Sequence, residues 1–304
     1  MVVRGLNGEN EIKDLLGFYK KSFVKTPISY FEKRIKNDPY LIPADIRIAE
    51  IKGEISSSIT VYRRKMWWKG EVIDFGGIGN VATLPDKRGQ GLSSQLMNDS
   101  VKYMKELSLP ISILFTGINK FYEKFNYFVI PAYQLKLKIA DNNNSDFSVR
   151  EFRAEDITRV MEIYYYFNKE LRGPVYRDAD YWKANLEFRE ENEIFLIAEK
   201  NGIIKGYIRI VPENEKGEIW EFAYSEIEAF VALLDKCAKV LRKQEIKTAA
   251  LFPKDIFKDA AQFDVSYEPS AIAMALNIND DIIVTGQKST QEPGIYCFWW
   301  TDNF

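Results

Sequence analysis

The chain contains no histidine. This removes the Ser-His-Asp and Cys-His triads and every histidine-ligated zinc site. Cysteine is nearly absent too: Cys237 and Cys297 stand alone, too few for a disulfide framework or a cysteine-rich metal site. Two isolated thiols suit a reducing, cytoplasmic setting. No apolar run approaches the ~18 residues of a membrane span, and Met1 to Gly8 lack the basic-then-apolar pattern of a secretory signal. Charge of one sign is scarce as well. With a net charge of −2, the chain lacks the basic excess of a general nucleic-acid binder. The expected partners therefore include neither nucleic acid nor membrane, and symmetric self-association is the default. Proton chemistry is left to carboxylates, Tyr, Lys, Cys and the chain termini.

What is present is core material. Hydrophobic residues make up 46% of 304 residues, enough for two domains at roughly 100–200 residues each. The stretch from Val81 to Met97 organises the first of them. An apolar strand, Val72 to Thr83, runs into a short basic turn holding Gly89 and Gly91, and a helix begins at once with Leu92, Leu96, Met97, Val101 and Met104 near helical spacing. Two glycines let backbone approach a ligand closely, and the first helical turn leaves about four unpaired N–H groups. That is an anion seat suited to phosphate, although an ordinary strand–helix turn has the same outline. It is neither a Gly-Lys-Ser/Thr loop nor a G-x-G-x-x-G loop.

Before this stretch the periodicity predicts helices over Asn10–Phe23 and Ile28–Lys36, then a hairpin of Ile46–Ile51 and Ile55–Tyr62 around Gly53. Arg63 to Gly70, with Trp67 and Trp68, forms its basic aromatic exit, read as packing or as a partner surface. After it come a helix to Leu107, a buried strand Ile111–Phe115, a helix Asn119–Phe125 with Asn126 as a left-handed cap, and a half-exposed strand Tyr133–Ile139.

Arg88-x-x-Gly91-x-Ser93 resembles the R/Q-x-x-G-x-G/A signature of the GCN5-related N-acetyltransferase (GNAT) family, with Ser93 in place of the final Gly/Ala. Phe121 to Tyr127 looks like the family's Tyr-x-Lys-x-Gly-Phe/Tyr signature, with Tyr122 as the tyrosine. The resemblance implies an α/β fold, a mixed central sheet flanked by helices, that binds acetyl-CoA. It assigns the pyrophosphate to Arg88, Gly89, Gln90, Gly91, Leu92, Ser93 and Ser94, with charge from Lys87. It assigns the pantetheine to the backbone of Val81, Ala82 and Thr83, with Gly117 and Ile118 close by. Tyr122 becomes the acid that meets the departing thiolate. A phenol at pKa about 10 and a thiol at about 8.5 make full proton transfer uphill, so hydrogen-bond donation is the easier role. A tyrosine packed under the sheet is the alternative.

Ala140 to Asp146 is a polar linker, after which the pattern restarts. Ala198-Glu199-x-x-Gly202 repeats Ala49-Glu50-x-x-Gly53 at a distance of 149 residues, each followed by another strand. Long-period self-similarity of this kind marks a second copy of the same unit. The expected layout is a first unit over 1–140, a linker over 141–147, a second unit over 148–279 and an added tail over 280–304. The second copy has no glycine pair between its central strand, Glu218–Tyr224, and the helix from Ser225. Ser225 and Glu228 look instead like a capping box, so this copy is not expected to bind coenzyme A.

The tail, Ile295 to Phe304, is densely aromatic and is expected to dock as a strand. Two such units plus a C-terminal extension resemble the enhanced-intracellular-survival type of aminoglycoside acetyltransferase, without that group's sterol-carrier-like domain. The resemblance implies that the α-carboxylate of Phe304 is the base, with Asp74 as a substitute lacking a motif match. The rings of Trp299, Trp300 and Phe304 could hold a cationic amine, with Asp302 as counter-charge; a packed tail with a solvated terminus is the alternative. The activity so implied is acetyl transfer from acetyl-CoA to a primary amine, without a metal. A non-catalytic acetyl-CoA sensor or scaffold is the alternative.

Overall fold

The computed structural model describes residues 1–139, 146–212, 217–254, 256–257, 263–279, 284 and 296–302. Most of the expected linker, much of the tail, and Phe304 therefore lie outside the described residues.

In the N-terminal part the order is β1 (Val2–Gly5), α1 (Ile12–Ser22), α2 (Ile28–Asn37), β2 (Ile46–Ile51), β3 (Glu54–Trp68), β4 (Glu71–Thr83), α3 (Leu92–Glu106), β5 (Ile111–Phe115), α4 (Asn119–Tyr122) and β6 (Phe128–Val129). Alternation along β3 separates the two faces of its sheet. Ile59 and Val61 meet Leu96, Met97 and Met104 of α3 together with Tyr122. Ser58 and Thr60, on the other face, meet the Tyr19 hydroxyl of α1 at 3.5 and 3.3 Å. Helices thus cover both faces. The basic aromatic stretch is not an exit: β3 runs through it to Trp68, and Lys69–Gly70 make the turn. Trp67 packs edge-on against Tyr165 and Tyr176, so the tryptophans serve the seam between the two halves.

The chain continues with β7 (Ala132–Ile139), β8 (Ser148–Glu151), α5 (Ile157–Asn168), β9 (Arg172–Val175), α6 (Ala179–Glu187), β10 (Ile194–Lys200), β11 (Ile203–Ile210), β12 (Ile219–Tyr224), α7 (Ile227–Leu241), β13 (Glu245–Lys247), β14 (Phe263–Ser270) and β15 (Ala273–Asn277). The β10–β11 hairpin repeats β2–β3 in detail. Both turns pair a left-handed residue with a left-handed glycine, Lys52–Gly53 and Asn201–Gly202, and both ladders shift register at the Ala-Glu step.

The sheets do not divide where the expected boundaries fall. The first is ordered β1-β2-β3-β4-β5-β15-β6, with β9 against β3, whereas β7 lies between β13 and β14. The strand expected to close the first unit is therefore in the second, and β15, expected in the second, completes the first. The reason is local. Hairpin turns need left-handed residues, yet Ile130–Pro131 and Ala271–Ile272, which join β6 to β7 and β14 to β15, contain none. Each strand runs straight on instead, and the two lie antiparallel as a ribbon from Phe128–Ala275 to Ile139–Phe263.

Candidate active site

β4 and β5 are parallel neighbours, but they pair only over Gly76–Ile78 and Ser112–Leu114. Beyond Ile78 they part. A bulge helps: Asn80 and Val81 of β4 lie opposite the single Ile59 of β3, and such an extra residue bends its strand. A cavity of about 430 Å³ opens beside the parted strands. It is lined by Val81, Ala82 and Thr83 of β4, by Arg88, Gly89, Gly91, Leu92, Ser93 and Ser94 of the loop and first turn of α3, and by Ile118 and Tyr122. The expected residues are thus brought together, apart from three. Gln90 folds back toward the Asp86 carbonyl at 3.5 Å and, like the exposed Gly117, does not line the cavity. Phe304 lies outside the described residues. Ser22, Phe23 and Phe121 line the cavity as well. No motif marked Ser22 and Phe23; only the fold brings this end of α1 to the cavity.

The loop is built as an anion seat. Gly89 and Gly91 have φ of +77° and +78°, and a Cβ at either would meet nothing within 4 Å, so glycine is required there by conformation and not by space. Gly91 caps α3, whose first internal bond runs from the Gln95 amide to the Gly91 carbonyl. Among the described residues, no amide from Gly89 to Ser94 donates to a protein acceptor. Six N–H groups at the positive end of a four-turn helix are thus left without a protein acceptor. Lys87 pairs with Asp86 at 2.9 Å, and this exposed hydrogen bond raises the lysine pKa while lowering the aspartate's.

Ser93 departs from the signature without obstructing it. Ser57 Oγ donates to the Ala82 carbonyl at 2.7 Å. Its only proton being spent, Ser57 must accept from Thr83 Oγ1 at 2.8 Å, and Thr83 in turn from Ser93 Oγ at 2.7 Å. The serine hydroxyl is turned back onto β4.

Tyr122 is 6% exposed, packed against Phe121 and Tyr127. Its hydroxyl has no hydrogen-bond partner among the described residues. Burial pushes its pKa up to about 12. Proton transfer from it to a thiolate would be uphill by about 5 kcal/mol, so the phenol keeps its proton and can offer it only as a hydrogen bond.

Residues 3–130 match the family model described as the acetyltransferase (GNAT) domain. They are a GNAT acetyltransferase domain. Among curated proteins, none matches the chain significantly by sequence. The fold of the GNAT domain and the C-terminal half together recurs in solved structures. A GCN5-related N-acetyltransferase from Anabaena variabilis superimposes with a TM-score of 0.70 at 14% identity, over 91% of this chain and 73% of that one. Eis1 from Mycobacterium abscessus gives 0.64 at 13% identity, over 92% and 74%. Saccharomyces cerevisiae N-myristoyltransferase, solved with myristoyl-CoA, gives 0.58 at 11% identity, over 91% and 78%.

Three expectations outside the GNAT cavity are corrected. Asp74 lies seven residues before Val81, roughly 23 Å along an extended strand, and opens onto a different cavity beside Leu107 and Leu109. It cannot act near Tyr122. Ser225 caps nothing: its hydroxyl donates to the Lys205 carbonyl at 3.1 Å, and the N-cap of α7 is Glu226, which pairs with Lys205 at 2.6 Å. The tail makes single bridges, Tyr296 to Arg172 and Phe298 to Leu251, and a short turn over Trp300–Asp302 in place of a strand. Trp299 is buried in the C-terminal core with its Nε1 on Asn168, and Asp302 is held by Arg177. Neither is free to receive an amine.

Proposed function

We propose that the protein transfers an acetyl group from acetyl-CoA to a primary amine of a small molecule or protein. The observation that carries this reading is one cavity lined both by the loop whose amides meet no protein acceptor and by Tyr122, whose hydroxyl has no partner among the described residues. Phosphates at residues 88–94, with Lys87 and Arg88 beside them, would anchor the carrier by charge-assisted bonds. The edge of Val81–Thr83 on the side away from β3, where β5 no longer pairs with β4, would align the chain leading to the thioester. When the amine nitrogen attacks the carbonyl carbon and the C–S bond breaks, negative charge collects on sulfur, and the Tyr122 O–H donates to it. In a site closed to water such a donor is worth about 10²–10³ in rate. The test is Tyr122→Phe, read by thiol release over a panel of amines and by calorimetry with coenzyme A. The expected result is kcat lower by about 100-fold with coenzyme A affinity within about 2-fold. Unchanged turnover removes Tyr122 from the chemistry. Coenzyme binding by the unmodified protein without thiol release on any amine makes it a binding protein.

A further inference from the structure

The bulge that parts β4 from β5 contains a residue in an unfavourable conformation. Asn80 has φ of +50°. Left-handed backbone is uncommon outside glycine, and Gly76, Gly77 and Gly79 all precede this position while an asparagine occupies it. A left-handed residue is not a general need of register shifts in this chain, since those at Ala49–Glu50 and Ala198–Glu199 have none. The retained side chain has work to do. Its Nδ2 donates to the Tyr62 hydroxyl at 2.8 Å and reaches Thr60 Oγ1 at 3.4 Å. Tyr62 is 2% exposed, and Thr60 also meets the fully buried Tyr19 of α1 at 3.3 Å. A buried polar knot therefore joins α1 and β3 to the bulge, and the residues next after the bulge, Val81 to Thr83, line the cavity.

We propose that Asn80 is a positioning residue for acyl transfer. Its left-handed backbone turns β4 away from β5, and its amide, pinned to Tyr62, fixes the direction in which residues 81–83 present their backbone. The inference rests on the transfer reading given above. It is tested in the full-length protein with Asn80→Gly, which keeps the backbone and drops the tie, Tyr62→Phe, which drops the same tie from the other side, their double variant, and Asn80→Ala, which loses both backbone and tie. Hydrogen exchange at the amides of 81–83 is measured beside kcat. Asn80→Gly and Tyr62→Phe should each speed exchange at 81–83 and lower kcat, both by about tenfold, with exchange at 89–94 and coenzyme A affinity little changed. The double variant should be no worse than Asn80→Gly alone, because that variant already lacks the tie to Tyr62. Asn80→Ala should lower kcat by about 100-fold. A merely structural residue would lower the melting temperature and leave kcat of the folded protein alone. The proposal is overturned by unchanged exchange at 81–83, by normal kcat in folded variants, or by multiplying effects in the double. Should Asn80→Ala not fold, the other three variants still decide. Lack of turnover in the unmodified protein counts against the transfer reading alone, because the exchange measurement needs no turnover.

Discussion

At the scale of single residues, Ser93 shows how a departure from a signature is absorbed. A hydroxyl where the GNAT signature has Gly or Ala adds a polar group beside the amides that face the cavity. Donating to Thr83, it becomes the outer member of a directed chain, Ser93 to Thr83 to Ser57 to the Ala82 carbonyl, that ties α3 to β4 and β3. Ser93→Ala should then cost about 1 kcal/mol of stability, the worth of one neutral, partly buried hydrogen bond. Coenzyme A affinity should stay within about 2-fold. Thermal unfolding and calorimetry check both halves, and a tenfold loss of affinity would mean that the hydroxyl itself touches the ligand. The same close reading explains why Tyr122 and Asp302 part ways. Both are polar groups buried among aromatics. Among the described residues the Tyr122 hydroxyl has no hydrogen-bond partner, so it is available to a substrate, whereas Arg177 occupies Asp302 from 125 residues away in sequence. Nothing in the local sequence around Asp302 announces that arginine.

At the scale of elements, the chain's punctuation decides its topology. Lys52–Gly53, Lys69–Gly70 and Asn201–Gly202 turn back on themselves, and each makes a hairpin. Ile130–Pro131 and Ala271–Ile272 cannot, and each sends its strand into the other sheet. The strands themselves are legible from periodicity, Ile111–Phe115 to the residue, and so is the glycine loop, because both are local patterns. Partnership is not local: Tyr133–Ile139 alternates correctly for a strand but says nothing about which sheet receives it, and only the missing turn residues hint at the answer. β9 and α6 escaped notice because four residues around a glycine and a proline, and nine with aromatics on several sides, show no clear period. One consequence can be measured. Met274 and Ala275 of β15 are fully buried between β5 and β6. Residues 1–139 alone would leave that slot empty and β7 without either neighbour. This fragment should lack a cooperative thermal transition and coenzyme A binding, and mixing it with residues 146–304 should restore both. A 1–139 fragment that folds and binds unaided would show the exchanged strands to be dispensable.

At the scale of the whole molecule, the tail closes a seam, by apolar contact with the N-terminal half and by charge with the C-terminal half. Phe298 stacks edge-on against Phe115 of β5, with ring centroids 5.4 Å apart. Four residues later Asp302 meets the buried Arg177 at 2.7 and 2.9 Å, and the same guanidinium grips Glu221 of β12 at 2.5 and 3.1 Å. Tyr207 donates to Glu221 at 2.6 Å, and Thr301 donates to it as well. Deleting one member of such a buried set leaves an uncompensated charge and costs about 3–5 kcal/mol. The two carboxyls respond to acid in opposite senses. Burial would push Glu221 up, but Arg177 and then Arg209 reverse this and hold it at about 2. Burial pushes Asp302 up, and Arg177 offsets only part of that. A depressed pKa contributes stability that is present above the unfolded value, about 4.3 for Glu, and is lost as pH falls through the folded one. The window for Glu221 therefore runs from about pH 4.5 down toward 2, and about 3 kcal/mol is at stake across it. A raised carboxyl pKa works against stability as pH rises past about 4, so Asp302 partly masks the slope in the unmodified protein. Comparison with Glu221→Gln reduces that mask, because Asp302 remains in both proteins, although losing the Glu221 charge also lets the Asp302 pKa fall. Urea unfolding at pH 7 should show the variant about 3 kcal/mol less stable, and the gap should narrow steadily between pH 5 and pH 3 as the native carboxylate nears protonation while its unfolded counterpart is already neutral. A gap that stays constant over that range would mean that Glu221 does not enter the folded protein as an anion, and the seam would then be held by hydrogen bonds and packing alone.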